Sequence, residues 1–191
     1  PNNPSGSYMS KTEIRSLMSR IPKNVIVLID GAYAEYVMEK DYDADFSLIK
    51  EYENIIITRT FSKAYGLAGI RLGWCYCSSR VSLILNKVKG PFNTNSIAQE
   101  LAIIALKDQD HISMVVRENK KNKTWFENEL KKLKIKTYPS YANFAFIEST
   151  TEKALEMMEN FLKNGIIVRS LNSYNLPNCL RITIGSIEDM K

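Results

Sequence analysis

Apolar residues fall into two patterns along the chain, unbroken runs of about five and stripes at helical spacing, and their order predicts an α/β protein. Ser10-Lys11-Thr12-Glu13 has the form of a capping box, with a hydroxyl at the N-cap and a carboxylate three residues on. Ile14, Leu17, Met18 and Ile21 follow at helical spacing until Pro22 closes the segment. Val25 to Ile29 is continuously apolar and ends in Asp30-Gly31-Ala32-Tyr33, and runs of this kind fit parallel strands buried on both faces. A polar stretch over 39–45 leads to a predicted short helix from Phe46 to Tyr52 and a strand from Ile55 to Thr58.

Leu72 to Cys77 predicts another strand and Val81 to Val88 a helix, broken by Gly90-Pro91. Asn95 to Leu106 reads as an apolar helix. Asp110 to Leu133 reads as a long amphipathic one, with Ile112, Val115, Val116, Trp125, Phe126, Leu130 and Leu133 inward. Short strands are then predicted at Thr137–Pro139, Asn143–Ile147, Ile166–Val168 and Leu180–Ile184. Among them lies a helix marked by Ala154, Leu155, Met158, Phe161 and Leu162, with Gly165 at C′. The change of character sets a boundary near residue 108, with an α/β part at 1–108 and a smaller α+β part at 109–191.

The composition is that of an ordinary globular protein, 45% hydrophobic and 25% charged, and 191 residues suffice for a sizeable core. No apolar run is long enough to span a membrane. The net charge of +5 raises nucleic acid as a partner, but the lysines gather between Arg117 and Lys136 as the solvated face of a helix. No nucleic-acid motif accompanies them. Three cysteines are too few for a disulfide framework and fit a reducing cytoplasm, and Cys75 and Cys77 alternate on an apolar strand, which predicts burial. With a single histidine, His111, neither a Cys/His metal site nor a Ser-His-Asp triad is expected.

Chemistry concentrates around Thr60-Phe61-Ser62-Lys63-Ala64-Tyr65-Gly66-Leu67-Ala68-Gly69-Ile70-Arg71, just past a strand end. A lysine among hydroxyls and small residues, with an arginine downstream, suits an amine that sheds its proton and bonds to an aldehyde. It equally suits a strand-to-loop junction with an incidental lysine. Asp30 stands at the end of a predicted parallel strand, where open α/β sheets place ligands, although a carboxylate there also serves as a helix N-cap. If the two strands are neighbours, the Asp30 carboxylate, Tyr33 phenol, Lys63 amine and Arg71 guanidinium converge. Pyridoxal-phosphate chemistry needs that set.

Four pieces in order, Asn3-Pro4-Ser5-Gly6, Asp30-x-x-Tyr33, Ser62-Lys63 with Arg71, and Arg181 in Leu180-Arg181-Ile182, resemble the fold-type I pyridoxal-phosphate aminotransferases. The spacings are similar too: 27 residues from Asn3 to Asp30, 33 to Lys63 and 8 to Arg71. Three stretches resemble the histidinol-phosphate branch of that family: Pro91 to Ser96, Tyr138 to Phe144, and Gly165 to Arg169 leading to Leu176 to Arg181.

The resemblance implies pyridoxal 5'-phosphate as cofactor, with Lys63 as its imine-forming lysine and proton carrier. It implies Asp30 on the pyridine nitrogen, Asn3 and Tyr33 on the ring oxygen, and Thr60, Ser62 and Arg71 on the phosphate. Arg181 would meet the substrate's acidic end, its planar fork suiting carboxylate or phosphate. Arg169 would assist with the phosphate, although an exposed residue at a strand end fits it as well. The implied substrates are histidinol phosphate and 2-oxoglutarate or glutamate, and the implied assembly is a homodimer.

Residues 1–108 would then be the C-terminal part of a large cofactor-binding domain and 109–191 the small domain. The glycine phosphate loop and ring-stacking aromatic of the family are not found in the sequence. This predicts a segment upstream and poor cofactor binding by these residues alone. An aromatic-amino-acid aminotransferase, a phosphothreonine decarboxylase and a non-catalytic cofactor-binding regulator share the pattern. A Rossmann nucleotide domain does not, since no G-x-G-x-x-G follows a predicted strand.

Overall fold

Ser10 caps the first helix as expected. Its hydroxyl accepts from the Glu13 amide at 3.3 Å, and the Glu13 carboxylate accepts from the Ser10 amide at 2.8 Å. Donation to the carboxylate from the Ser10 amide foremost, and from the Ser10 hydroxyl at 2.8 Å, holds Glu13 below the usual range. The structure, a computed structural model, describes residues 1–43 and 46–191; the last two positions of the polar stretch over 39–45 lie outside the described residues. The chain divides into one unit of Tyr8–Met114 and another of Pro1–Ser7 with Val115–Lys191.

In the first unit, helix α1 (Lys11–Met18) and strand β1 (Val27–Asp30) precede α2 (Ser47–Glu51) and β2 (Ile55–Thr60). Strand β3 (Gly73–Cys77) and helices α3 (Ser79–Val88) and α4 (Ser96–Lys107) follow. The sheet order is β1-β2-β3. β1 runs parallel to β2 with Asp30 beside Thr58, and β3 runs antiparallel with Cys75 beside Thr58. Ile14, Met18, Leu48, Ile49, Ile55 and Ile57 form the core, joined by Val27 and Ile29. Burying each such side chain contributes about 1.5–3 kcal/mol.

The other face differs from expectation. β1 alternates half-buried and exposed residues, and Leu28 is 59% exposed rather than covered. Cys75, expected to be buried, is exposed for the same reason: it shares the Leu28 face, away from α1 and α2.

Helix α5 (Gln109–Lys132) runs across the division between the units. The second unit continues with β4 (Lys136–Tyr138), β5 (Phe144–Glu148), α6 (Thr151–Lys163), β6 (Arg169–Ser170), β7 (Cys179–Thr183) and α7 (Ile187–Met190). Its sheet is antiparallel throughout, in the order β4-β5-β7-β6. Leu130, Ala145, Ile147, Ala154, Leu180, Ile182 and Ile184 make its core. Gly165 takes φ +76° after α6, the left-handed C′ position that favours glycine.

Two expectations fail in this unit. Leu133, expected inward, lies beyond the end of α5 and is 70% exposed. Ile166–Val168 is not a strand; Ile167 is 88% exposed and pairing begins only at Arg169. A run of β-branched residues favours strand backbone but needs a partner edge, and here the edge is only two residues long.

Candidate active site

In the first unit, Asp30 and Thr60 are the last residues of adjacent parallel strands, so the Asp30 turn and the Lys63 loop leave the same end of the sheet. Asp30 Oδ1 accepts from the Ala32 amide at 3.0 Å and lies 3.5 Å from Thr58 Oγ1. Its carboxylate is exposed and retains acceptor capacity. Gly31 sits where the turn meets β2. A β-carbon there would come within 2.6 Å of the Thr58 carbonyl, which accepts from the Gly31 amide at 3.0 Å.

The Lys63 loop is anchored by its neighbours. Phe61 and Ala64 are buried, the Phe61 amide donates to Leu72 O at 3.2 Å, and the Leu67 amide donates to Phe61 O at 2.9 Å. Between those anchors the Lys63 amine is half-buried, 5.3 Å from the centre of the buried Tyr33 ring. The Ser62 amide donates to Thr60 Oγ1 at 3.0 Å. Arg71 takes φ +56° and anchors one guanidinium nitrogen on Ala68 O at 2.8 Å, with the rest exposed. Carboxylate, phenol, amine, hydroxyls and a guanidinium are the donor set that pyridoxal phosphate requires, so these residues fit that group.

Asn3, Arg181 and Arg169 belong to the second unit. The pairing sets Tyr138, Phe146, Arg181 and Arg169 in one row, one residue from each strand, on the face opposite the core residues Ala145, Ile147, Leu180 and Ile182. Arg181 Nη1 donates to Asn3 Oδ1 at 2.8 Å, leaving the Asn3 amide NH2 as a donor. The Arg181 guanidinium carbon stands 5.0 Å from the Phe144 ring centre, and its buried Nε has no hydrogen-bond partner among the described residues. Arg169 is exposed directly across from Arg181. Like charges set opposite each other on a sheet repel, and an anion between them relieves the repulsion.

One pair escaped the reading of the sequence. Arg59, on β2, places Nη1 3.6 Å from Glu35 Oε1, and both side chains are largely buried beside Phe46. Burial pushes the Glu35 carboxyl above the ordinary carboxylate range, more than Arg59 pulls it down. Glu35 lies in the 3-10 turn Ala34–Tyr36 that directly follows Tyr33, so the pair ties the tyrosine-bearing turn to the strand leading to Lys63. The signal was present: Arg59 falls in the same alternation as Ile55 and Ile57, and a charge at a core position needs a partner.

The two units carry the architecture of a fold-type I pyridoxal-phosphate transferase. The chain belongs to the class I and II aminotransferase family, whose profile matches residues 1–191. It is 45% identical to histidinol-phosphate aminotransferase 2 of Oceanobacillus iheyensis over 192 aligned residues, covering 100% of this chain and 52% of that protein. It is 38% identical to the histidinol-phosphate aminotransferase of Rhodopseudomonas palustris, over 98% of this chain and 52% of that one. Among solved structures, the histidinol-phosphate aminotransferase of Sinorhizobium meliloti in complex with pyridoxal-5'-phosphate superposes with a TM-score of 0.91 at 27% identity. That match covers 100% of this chain and 52% of the other. The chain thus spans about half the length of the curated relatives it matches.

Proposed function

We propose that this protein moves an amino group from glutamate to imidazole-acetol phosphate, giving 2-oxoglutarate and histidinol phosphate, with pyridoxal 5'-phosphate as cofactor. The observation that carries the substrate reading is the Arg169–Arg181 pair in register on one sheet face, two cations suited to a phosphate in one half-reaction and a carboxylate in the other. The similarity to histidinol-phosphate aminotransferases supports the same reading.

When bound, the cofactor supplies an aldehyde carbon and an electron-accepting ring. Lys63 would be the residue that tethers it and would serve as the proton carrier at the amine-bearing carbon of the substrate. Asp30 would keep the pyridine nitrogen protonated. Tyr33 and, by the same reading, Asn3 would serve the ring oxygen, and Thr60, Ser62 and Arg71 would hold the phosphate. Arg181 and Arg169 bind the acidic end of the substrate. The working form is a cytoplasmic homodimer.

The deciding experiment uses protein expressed from its complete open reading frame. Single-turnover rates are compared for histidinol phosphate, phenylalanine and phosphothreonine, and borohydride reduction followed by peptide mapping locates the tether. Fast amino transfer from histidinol phosphate with label on Lys63 is expected. Preference for phenylalanine, or decarboxylation of phosphothreonine, would replace the substrate reading.

A further inference from the structure

Lys123 has no place in the chemistry above, yet two backbone carbonyls hold its ammonium. It lies on α5 with its side chain largely withdrawn from water, and its ammonium donates to Ser140 O and, at 3.5 Å, to Ala142 O. Asn119, one turn earlier on the same helix face, donates to the Ala142 carbonyl as well, at 3.4 Å. Ser140 is 6% exposed and Ala142 fully buried. Burial lowers the Lys123 pKa, with Glu127 one turn on acting against it. A desolvated ammonium held this way is costly unless its hydrogen bonds do something a neutral side chain cannot.

The clamped loop supports the turn that bears Asn3. The Tyr141 amide donates to Gly6 O at 2.8 Å, and Gly6 comes so close that a β-carbon on it would lie 2.3 Å from Ser140 Oγ. Gly6 closes the turn through its own amide, which donates to Asn2 O at 2.8 Å. Asn3, next to Asn2, receives the Arg181 guanidinium. A continuous set of short contacts therefore runs from Lys123 through residues 140–142 and Gly6 to Asn3 and Arg181, all within one unit.

We propose that Lys123 is a positioning residue for the Asn3–Arg181 pair, setting the site that receives the acidic end of the substrate without touching it. This rests on the reading of Arg181 as the acid-binding residue. Replacement by methionine, which keeps most of the stem but not the ammonium, releases Ser140 O from its donor, and the loop, the Gly6 turn and Asn3 lose their fixed height relative to Arg181. The step affected first is recognition of the acid; the ring oxygen keeps Tyr33 as a donor, so the chemistry at Lys63 changes little.

Protein from the complete open reading frame is assayed as Lys123→Met, Arg181→Lys and the double variant, with KM and kcat per borohydride-titrated site. Lys123→Met is expected to raise KM for glutamate about 5- to 30-fold with kcat within about twofold. The double variant should exceed Arg181→Lys by less than about twofold, because both act on one contact. Lys123→Arg, which retains charge and donors, should return KM most of the way. If Lys123→Met yields no folded protein, Asn119→Ala carries the same test with a smaller rise. Unchanged KM in Lys123→Met beside a raised KM in Arg181→Lys overturns the positioning role, as does a parallel fall in kcat or full additivity. Unchanged KM in Arg181→Lys overturns the reading of Arg181 instead.

Discussion

The Lys63 amine stands 5.3 Å from the centre of the Tyr33 ring, and the two residues reach that distance from adjacent parallel strands. Among the described residues, no carboxylate holds the amine. Lys63→Ala should therefore leave the melting temperature of the unliganded protein nearly unchanged while lowering turnover by about 10²–10⁴-fold or more. Thermal unfolding and single-turnover assays on the same preparation check both halves. Substantial residual turnover would remove Lys63 from the chemistry.

Asp30 and Thr58 separate a chemical role from a supporting one. Asp30→Asn keeps the shape but cannot hold a protonated pyridine nitrogen, and turnover should fall about 10²-fold. Thr58→Val removes only a 3.5 Å contact and should cost less than about 1 kcal/mol of transition-state stabilisation. Equal losses in the two variants would mean that the carboxylate acts through the turn rather than on the cofactor.

The Glu35–Arg59 pair makes a pH prediction. The folded-state pKa of Glu35 is raised from 4.5, so the proton is held more tightly in the folded protein than in the unfolded chain. Its contribution to stability is complete below 4.5 and declines as pH rises through the raised value. Glu35→Gln should flatten that part of the stability profile measured by urea unfolding. Arg59→Met leaves a buried carboxylate without its cation and should cost about 3–5 kcal/mol at neutral pH.

Gly6 has φ +76° and almost no room for a side chain. Gly6→Ala adds about 1–2 kcal/mol of left-handed strain before any collision is counted, and the collision includes the Ser140 Cα at 2.8 Å, which only backbone movement relieves. Denaturant titration should show a loss above about 2 kcal/mol. Trimming Ser140 to Ala should restore little of it.

The sequence exposed more of this molecule's local structure than of its pairings. The capping box at Ser10, the C′ glycine at 165 and the lengths of α5 and α6 follow from rules acting over four or five residues, and all are found. β1 was misjudged because an apolar run states what a strand can bury, not what covers it. The positions of Asp30 at a strand end and Lys63 just past one are readable in the sequence, whereas the β1–β2 adjacency that brings them together is a long-range pairing that no local pattern states. Glu35–Arg59 and Lys123 were missed for a common reason. Each joins residues more than fifteen positions apart through side chains that look like ordinary surface charges in one dimension.

The row Tyr138–Phe146–Arg181–Arg169 depends at its outer end on β6, a strand of two residues. A one-residue shift of β6 against β7 would bring Ser170 opposite Arg181 and turn Arg169 to the other face. The number of positive charges on this sheet face is thus written into the length of the 171–178 connection as much as into the identity of residue 169. Insertion or deletion of one residue in that connection is a route by which a descendant of this protein could halve the charge of the face, with both arginines still present in its sequence.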